Sequence, residues 1–488
     1  MKKSNATPET SVSDNKELSI WEALIPVFVL VGLLAYNVFF VESQEWFGTY
    51  TYQIILLVGG LTAMIVGFFN KIGFKKMVDE VWKNLRSVFI PILILLLVGA
   101  LAGTWKISGV IPAMVYYGLQ IINPTIFLPL TVIICCAVSL STGSSWTTSA
   151  TVGIALIGIG TAFGLHPGMI AGAVISGAYF GDKMSPLSDT TNLAPAMAGT
   201  DLYTHIKYMT ITTVPTILIT IIVFLIISLS SSTNVGGDLS SVNSIIETID
   251  NDFYISPWLF AVPVGVIVLV LLRIKPLIAL SVGVILAIIF AYIFQGPLLQ
   301  SMSSSPLQSV INTVFLDTEI FTDNERLTRL YNTGGMNGML WTIYLICCAM
   351  VFGGVLDAIG ALRRITASLL KVATSVFGLF ASTVASCIGL NIVASDQYIS
   401  IVIPGKMFKK AYEDKGLAPE NLSRTLEDSG TVTSALVPWN TCGAYQSGVL
   451  GVSVVDYAIY AVFNWISPFM TLIVAGLGIK IKQLQGKV

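Results

Sequence analysis

Residues 177–195 decide the fold of the chain, and they have the sequence GAYFGDKMSPLSDTTNLAP. Two acids, a lysine, two prolines and several hydroxyl side chains stand here beside long apolar runs. Irregular backbone inside a membrane persists only where protein or a wet cavity surrounds it, so an uninterrupted lipid-facing helix cannot carry this set. The stretch therefore predicts a broken helix that lines a polar site.

The composition of the whole chain indicates the same setting. Of its 488 residues, 54% are apolar and only 11% are charged, whereas soluble proteins carry about 25% charged residues. The net charge of −1 gives no electrostatic footprint for a nucleic-acid partner. Several apolar runs reach roughly 20 residues, the length that crosses about 30 Å of hydrocarbon. We predict an all-α polytopic membrane protein.

Hydropathy and loop charge predict about fourteen spans in this chain. Their positions are 21–41, 52–69, 87–104, 109–122, 125–160, 168–200, 209–229, 257–272, 277–295, 338–356, 361–375, 376–403, 426–450 and 455–479. Three of these spans, at 109–122, 257–272 and 361–375, are short and can be re-entrant or tilted.

Lysine and arginine predict the orientation, because short basic loops stay in the cytoplasm. The basic segments expected there are 70–86, Arg273 with Lys275, Arg363 with Arg364, 404–425 and the tail after the last span. The segments expected outside are 42–50, 231–253 and 296–337, although Arg326 and Arg329 weaken the last assignment. Both termini are then cytoplasmic.

The chain consists of two weakly similar halves, and matching positions in them are about 245 residues apart. Both contain the pattern D-x-x-[ST]-x-x-S, which begins at Asp182 and at Asp428, and both have an earlier polar break, at 141–148 and at 391–397. Because seven spans per half is an odd number, the two halves must have opposite orientations. Inverted repeats with interrupted helices at matching positions are typical of secondary transporters with a site at the midplane.

This division predicts the organisation of the chain. The predicted parts are a disordered cytoplasmic N-terminus (1–19), a first repeat (20–230), an extracellular polar linker (231–256), a second, inverted repeat (257–482) and a cytoplasmic tail (483–488).

The polar breaks supply the candidate residues for binding a cation or a proton. Oxygen donors suit small hard cations such as Na⁺, and an acid inside a membrane marks a functional site by default. Asp189 and Asp396 are the leading pair of candidate Na⁺ ligands, and Asp182 and Asp428 are the second pair. Polar side chains near these acids complete the candidate set: Ser185, Ser188, Thr190, Asn192, Asn391, Ser395, Thr431 and Asn440.

Several of these residues can have a purely structural role instead of binding an ion. Asp182 can pair with Lys183 at a capped helix break, and Asp428 can be an N-cap at the cytoplasmic edge. The serine- and threonine-rich run 141–149 can serve only to pack helices closely. Lys183 is either half of a supporting ion pair or a clamp for an anionic substrate.

A buried carboxylate also suggests a mechanism. Burial disfavours its charged form, so that the group takes up either a proton or a metal cation, but not both at once. Such mutual exclusion makes exchange obligatory when one repeat rocks against the other and reorients the occupied site.

Residues 177–194, together with EDSGTVTSALVPWNTCG at 427–443, closely resemble the NhaC-type sodium/proton antiporters of the ion-transporter superfamily. The resemblance covers about residues 20–480. It implies Na⁺/H⁺ exchange in a bacterial inner membrane, and dimerisation as in related members of the superfamily. Since the family includes sodium-coupled malate/lactate antiporters, the resemblance indicates the fold and the sodium coupling better than the final substrate.

Two other functional classes stay open. An organic-anion exchanger of the malate/lactate type needs a cationic or hydroxyl-rich clamp, but Lys183 is the only strong base in the motif, and the surrounding acids favour a cation exchanger. A membrane enzyme lacks support, because the sequence offers no nucleophile–base pair and no metal cluster. We expect a transporter without a bound cofactor, whose partners are lipid, Na⁺ and H⁺.

We predict that Asp396→Asn abolishes sodium/proton exchange, because the variant has lost a carboxylate that binds the competing ions. The variant should still yield folded protein, which its elution from a size-exclusion column checks. Normal transport by this variant would give Asp396 a purely structural role.

Overall fold

The structure is a computed structural model that describes residues 18–41, 46–235, 239–272, 274–317, 320, 322, 327–328, 331 and 335–484. The predictions made for residues 1–17, for Arg273, Arg326 and Arg329, and for residues 485–488 lie outside the described residues.

The described residues are helical almost throughout. The α-helices are α1 (Ile20–Phe40), α2 (Thr51–Phe69), α3 (Phe74–Ser87), α4 (Phe89–Ile107), α5 (Val110–Ile121), α6 (Phe127–Thr142), α7 (Ser145–Thr148), α8 (Ile154–Ala162), α9 (Pro167–Met184), α10 (Asp189–Ala198), α11 (Leu202–Val235), α12 (Leu239–Asp252), α13 (Ala261–Leu271), α14 (Pro276–Phe294), α15 (Gly296–Met302), α16 (Pro306–Phe315), α17 (Leu340–Ala358), α18 (Ala361–Val372), α19 (Val376–Val393), α20 (Gln397–Asp414), α21 (Pro419–Leu426), α22 (Thr441–Leu450), α23 (Val454–Ala458) and α24 (Val462–Gly476). Shorter elements are the strand β1 (Trp46–Thr49), the 3₁₀ turns Pro124–Ile126, Pro257–Phe260, Asn337–Met339 and Ser434–Leu436, and the π-helical turns Ser149–Gly153 and Glu427–Thr431.

Eight helices in the described part of the chain are long and apolar enough to cross a membrane. A ninth span arises if Ser244–Asp252 and Pro257–Leu271, which meet at an angle of 86°, are taken together. The all-α polytopic class is therefore confirmed. The count of fourteen spans stays a prediction, because several of the remaining spans are broken into shorter helices.

Two predicted segments differ from the structure. The basic loop 70–86 contains a helix, α3, which the hydropathy pattern did not separate from its surroundings. The predicted span 361–375, one of the three that can be re-entrant or tilted, contains the 12-residue helix α18, which carries Arg363 and Arg364. Its length of about 18 Å is too short for a straight crossing.

Helix boundaries and caps recur in the second half of the chain at a nearly constant offset. The matching positions, 251 or 252 residues apart, are Phe89 and Leu340, Gly109 and Gly360, Pro167 and Pro419, Ser188 and Asn440, and Gly199 and Gly451. In this register Asp182 corresponds to Ser434, so its predicted correspondence with Asp428 is wrong. The short pattern D-x-x-[ST]-x-x-S recurs one to two helical turns out of register with the breaks. The opposite orientation of the two halves stays a prediction.

Four of the predicted spans are interrupted, and each interruption ends in an N-cap. The capping residues are Ser144, Ser188, Asp396 and Asn440. Each side chain accepts a hydrogen bond from a main-chain N–H two or three residues further on. These bonds satisfy donors that would otherwise be unpaired at the new helix start. The polar residues of the breaks therefore allow a helix to restart inside an apolar protein.

The close approach of α6 and α9 fixes where the first two breaks meet. A Cβ atom added to Gly177 would lie 2.7 Å from Cys135 Cβ, and one added to Gly181 would lie 2.5 Å from Ser139 Cβ. The Ser139 hydroxyl also donates a hydrogen bond of 2.5 Å to the Ala178 carbonyl. The two helices thus pack backbone to backbone along this seam.

We predict that Gly177→Ala destabilises the protein by about 1–3 kcal/mol, the usual cost of overpacking a tight contact. The matched control is Gly389→Ala in α19, where an added Cβ meets nothing within 4 Å, and this variant should lose no stability. Thermal unfolding of both purified variants in detergent measures the difference. Equal melting temperatures would show that α6 and α9 can separate without cost.

Candidate cation-binding site

A cavity of about 990 Å³ lies where the breaks of the two halves come together. Its lining combines main chain and polar side chains from both halves with apolar side chains of α4 and α14. The lining residues from the breaks include Thr142, Gly143, Ser144, Asp182, Ser188, Asp189, Thr190, Asp396, Gln397, Thr441 and Cys442. Five of the predicted binding residues therefore share one cavity: Asp182, Ser188, Asp189, Thr190 and Asp396.

Asp182 lies in the last turn of α9 and faces the start of α7. Its side chain is only 8% exposed, so its charge needs a partner inside the protein. The carboxylate accepts hydrogen bonds from the Ser145 main-chain N–H at 3.2 Å and from the Ser145 hydroxyl at 2.6 Å. The partial positive charge of a helix N-terminus thus stabilises this anion.

Asp396 and Asp189 occupy equivalent electrostatic positions. Asp396 is the N-cap of α20, and its carboxylate accepts a hydrogen bond of 2.9 Å from the Ile399 main-chain N–H. Asp189 is the first residue of α10, directly after the Ser188 cap, and it is exposed at the cavity wall. All three carboxylates therefore lie at helix N-termini, and those of Asp182 and Asp396 also accept main-chain hydrogen bonds there.

Aromatic and polar side chains from both halves surround these acids. The rings of Trp146 and Tyr445 stack at a centroid distance of 3.9 Å, and the Tyr445 hydroxyl donates to the Trp146 carbonyl at 3.2 Å. Cys442 donates through its thiol to the Gln397 amide oxygen at 2.7 Å. Tyr398 lies within electrostatic range of all three carboxylates. The sequence patterns did not predict a role for Tyr398, Gln397 or Tyr445, although Gln397 and Tyr398 directly follow Asp396.

Lys183 and Asp428 form an ion pair outside the cavity lining, and both side chains are fully buried. Lys183 also donates to the Ser467 hydroxyl at 3.1 Å, and the Thr212 hydroxyl donates to Asp428 at 3.2 Å. The alternative that Lys183 pairs with Asp182 is therefore wrong. Asp428 is not an N-cap either, because it lies inside the π-helical turn Glu427–Thr431.

Asn391 and Asn440 connect the two breaks of the second half. The Asn391 amide donates to the Gly430 carbonyl at 2.7 Å and to the Thr433 hydroxyl at 2.9 Å. The Asn440 amide donates to the Asn391 carbonyl at 3.1 Å and to its side-chain oxygen at 3.2 Å. These amide groups hold the breaks together, and neither asparagine lines the cavity.

Ser395 precedes the Asp396 cap with φ of 59°, a left-handed conformation that side chains other than glycine rarely adopt. Its carbonyl accepts a hydrogen bond of 3.0 Å from the Thr441 main-chain N–H. Gly143 has the corresponding place in the first half, with φ of 71°. Strained backbone of this kind collects at functional sites, because the surrounding structure must enforce it.

The remaining predicted residues lie near the breaks but do not line the cavity. The Ser185 hydroxyl accepts from the Leu187 N–H at 3.3 Å, and the Asn192 amide donates to the Ser188 carbonyl at 2.7 Å. Thr431 is buried in the π-helical turn, close to the fully buried Glu427. Glu427 was not predicted as a site residue, although it directly precedes Asp428 in the sequence.

This architecture, in which broken helices from two halves bring polar side chains to one cavity, defines a multi-pass membrane transporter. The model of the Na⁺/H⁺ antiporter family matches residues 1–178 and 177–479. The chain belongs to this family, and the predicted resemblance to NhaC-type antiporters is confirmed.

Individual relatives agree with this assignment. The chain is 37% identical over 470 residues to the Na⁺/H⁺ antiporter NhaC of Alkalihalophilus pseudofirmus, which covers 96% of this chain and 98% of the relative. Two proteins of Bacillus subtilis are each 36% identical. The match to its Na⁺/H⁺ antiporter NhaC covers 80% of this chain and 87% of the relative, and the match to its malate-2H⁺/Na⁺-lactate antiporter covers 88% of each.

The buried pair generates a prediction about stability. Lys183→Met leaves Asp428 charged and unpaired, which should cost about 3–5 kcal/mol, whereas the double variant Lys183→Met/Asp428→Leu should recover most of that loss. Unfolding of the single and double variants in detergent measures the coupling between the two residues. Additive effects in this cycle would mean that the two charges do not stabilise each other.

Proposed function

We propose that the protein exchanges Na⁺ for H⁺ across the bacterial inner membrane by alternating access. The observation that carries the proposal is the group of Asp182, Asp189 and Asp396 around one interior cavity. None of these carboxylates is in an ion pair with another residue that the structure describes. Helix N-termini stabilise them instead, so a small cation entering the cavity meets oxygen donors whose charge is not already cancelled.

Competition for these carboxylates provides the coupling. A proton on a carboxylate removes the charge that holds Na⁺, and bound Na⁺ displaces the proton, so each ion leaves when the other binds. The hydroxyl groups of Ser188 and Thr190, 3.1 Å apart, add oxygen donors at the same wall. Na⁺ is thus expected to bind between the first-half break and Asp396 of the second half.

The lining of the cavity supports an inward-open state. It includes Lys83, Lys275 and Asp357, which stand in or next to segments that the distribution of basic residues assigns to the cytoplasm. The Trp146–Tyr445 stack joins the two halves beside the acids. A rocking motion of one half against the other would break this stack and expose the acids to the opposite side.

Exchange of organic anions is a second candidate function. A cavity of about 990 Å³ exceeds what a bare ion requires, and one relative is named a malate-2H⁺/Na⁺-lactate antiporter. Lys183, the predicted clamp, is however paired with Asp428 outside the cavity lining. The lysines that do line the cavity, Lys83 and Lys275, are accompanied there by Asp357. The acids around the breaks therefore favour a cation as the substrate.

Dequenching of a pH-sensitive dye in proteoliposomes with an acidic interior tests both functions. We expect NaCl alone to drive protons out, and LiCl and KCl in parallel give the ion preference. The organic-anion exchanger would replace the proposal if the chloride salts gave no dequenching and sodium malate, added outside vesicles that contain lactate, gave dequenching.

The cavity carboxylates are tested by Asp182→Asn, which should lower the rate of sodium/proton exchange at least tenfold because an oxygen ligand and a competing proton site are both lost. Asp414→Asn is the control, since Asp414 is an exposed acid at the far end of α20, the helix that Asp396 caps. Asp414→Asn should transport normally in the same dye assay. Equal rates in the two variants would remove Asp182 from the mechanism.

A further inference from the structure

Helix α3 exposes a row of apolar side chains outside the site described above. Phe74, Val78 and Trp82 are spaced four residues apart and therefore share one face of the helix. Their exposed fractions are 57%, 42% and 58%. The row is too exposed to belong to the protein core, so it faces the surroundings of the protein.

The neighbouring face of α3 is fixed against the protein. Met77 is fully buried, and a Cβ atom added to Gly67 of α2 would lie 2.8 Å from its sulfur. A Cβ atom added to Gly354 of α17 would lie 2.8 Å from Val81 Cα. Because α3 is packed this closely on two spanning helices, the exposed row cannot turn inward.

The exposed row continues the lipid-facing surface of a spanning helix. Phe68, near the end of α2, is 54% exposed and stacks on Phe74 at a centroid distance of 6.2 Å and an interplanar angle of 11°. Since α2 is long and apolar enough to cross the membrane, this continuity favours the bilayer over a protein partner as the occupant.

Basic side chains edge the same face. At about 100° per residue, Lys75 and Arg86 lie within about 40° of Trp82 around the helix axis, Lys75 near the start of α3 and Arg86 near its end. The Arg86 guanidinium lies 5.8 Å from the Trp82 ring centroid. Lys83 is in an ion pair with Glu80 at 3.2 Å. Lys75 and Arg86, by contrast, form no ion pair with any residue in the described ranges. Their charges are available to an anion at the level of the lipid headgroups.

We propose that α3 is an interfacial helix that binds the headgroups of anionic phospholipids through Lys75 and Arg86, with Phe74, Val78 and Trp82 among the acyl chains. Basic amphipathic helices with aromatic side chains bind membrane surfaces in this way. Lys83, on the same helix, lines the cavity, so the bound lipid lies beside the cavity entrance. The proposal is independent of which ions are exchanged.

The test uses the full chain in proteoliposomes that contain phosphatidylcholine and phosphatidylglycerol, with bromine on the acyl chains of one lipid at a time. Bromine quenches tryptophan fluorescence on contact, and the difference between the wild type and Trp82→Phe isolates the signal of Trp82. We expect Trp82 to be quenched more by brominated phosphatidylglycerol than by brominated phosphatidylcholine at equal amounts. Each base near an anionic surface should contribute a factor of about five to this preference.

The variant Lys75→Gln/Arg86→Gln should lose the preference and keep the quenching. The matched control, Lys406→Gln/Lys410→Gln, removes two exposed bases of α20 and should keep both. In the wild type, about 1 M NaCl should reduce the preference, because salt screens exposed charges. Equal quenching by both lipids in the wild type, absence of quenching by either lipid, or an equal loss in the control variant would each overturn the proposal.

Discussion

The structure depends on holding carboxylates inside an apolar protein without paired cations. A buried carboxylate without a partner is costly, and Asp182 and Asp396 solve this by accepting hydrogen bonds from main-chain N–H groups where helices restart. The breaks are therefore not defects in the spans. They create the N-termini whose partial positive charge stabilises the acids, and they leave the oxygens of those acids accessible from the cavity.

Tight packing and amide networks keep the breaks in place. Gly177 and Gly181 bring α6 and α9 into backbone contact, while Asn391 and Asn440 tie the second pair of breaks together. The ion pair of Lys183 and Asp428 sits outside the cavity lining and joins the halves. Lys183 and Asp428 are thus paired with each other, whereas Asp182, Asp189 and Asp396, which face the cavity, are not in ion pairs with described residues.

Local sequence patterns predicted the helix breaks of the site, because a break depends on residues that are close together in the chain. Asp396 and Ser188 were placed at breaks because polar residues and prolines interrupt apolar runs. The partners of Asp182 and Lys183 were not predicted. Ser145 lies 37 positions from Asp182, and Asp428 lies 245 positions from Lys183, so no local pattern relates them. The offset between the halves was also wrong, because it followed a short motif and not the helix caps.

The sequence by itself determined that the chain is a helical membrane protein with interrupted spans, and it placed Asp182, Asp189 and Asp396 at the interruptions. Helix capping depends on a few neighbouring residues and hydropathy on the length of one span, so both can be read from a single sequence. Only the tertiary structure decided that Asp182, Asp189 and Asp396 share a cavity while Asp428 is taken up by Lys183. That division depends on how two distant halves pack, and contacts at such separations leave no periodic trace in the sequence.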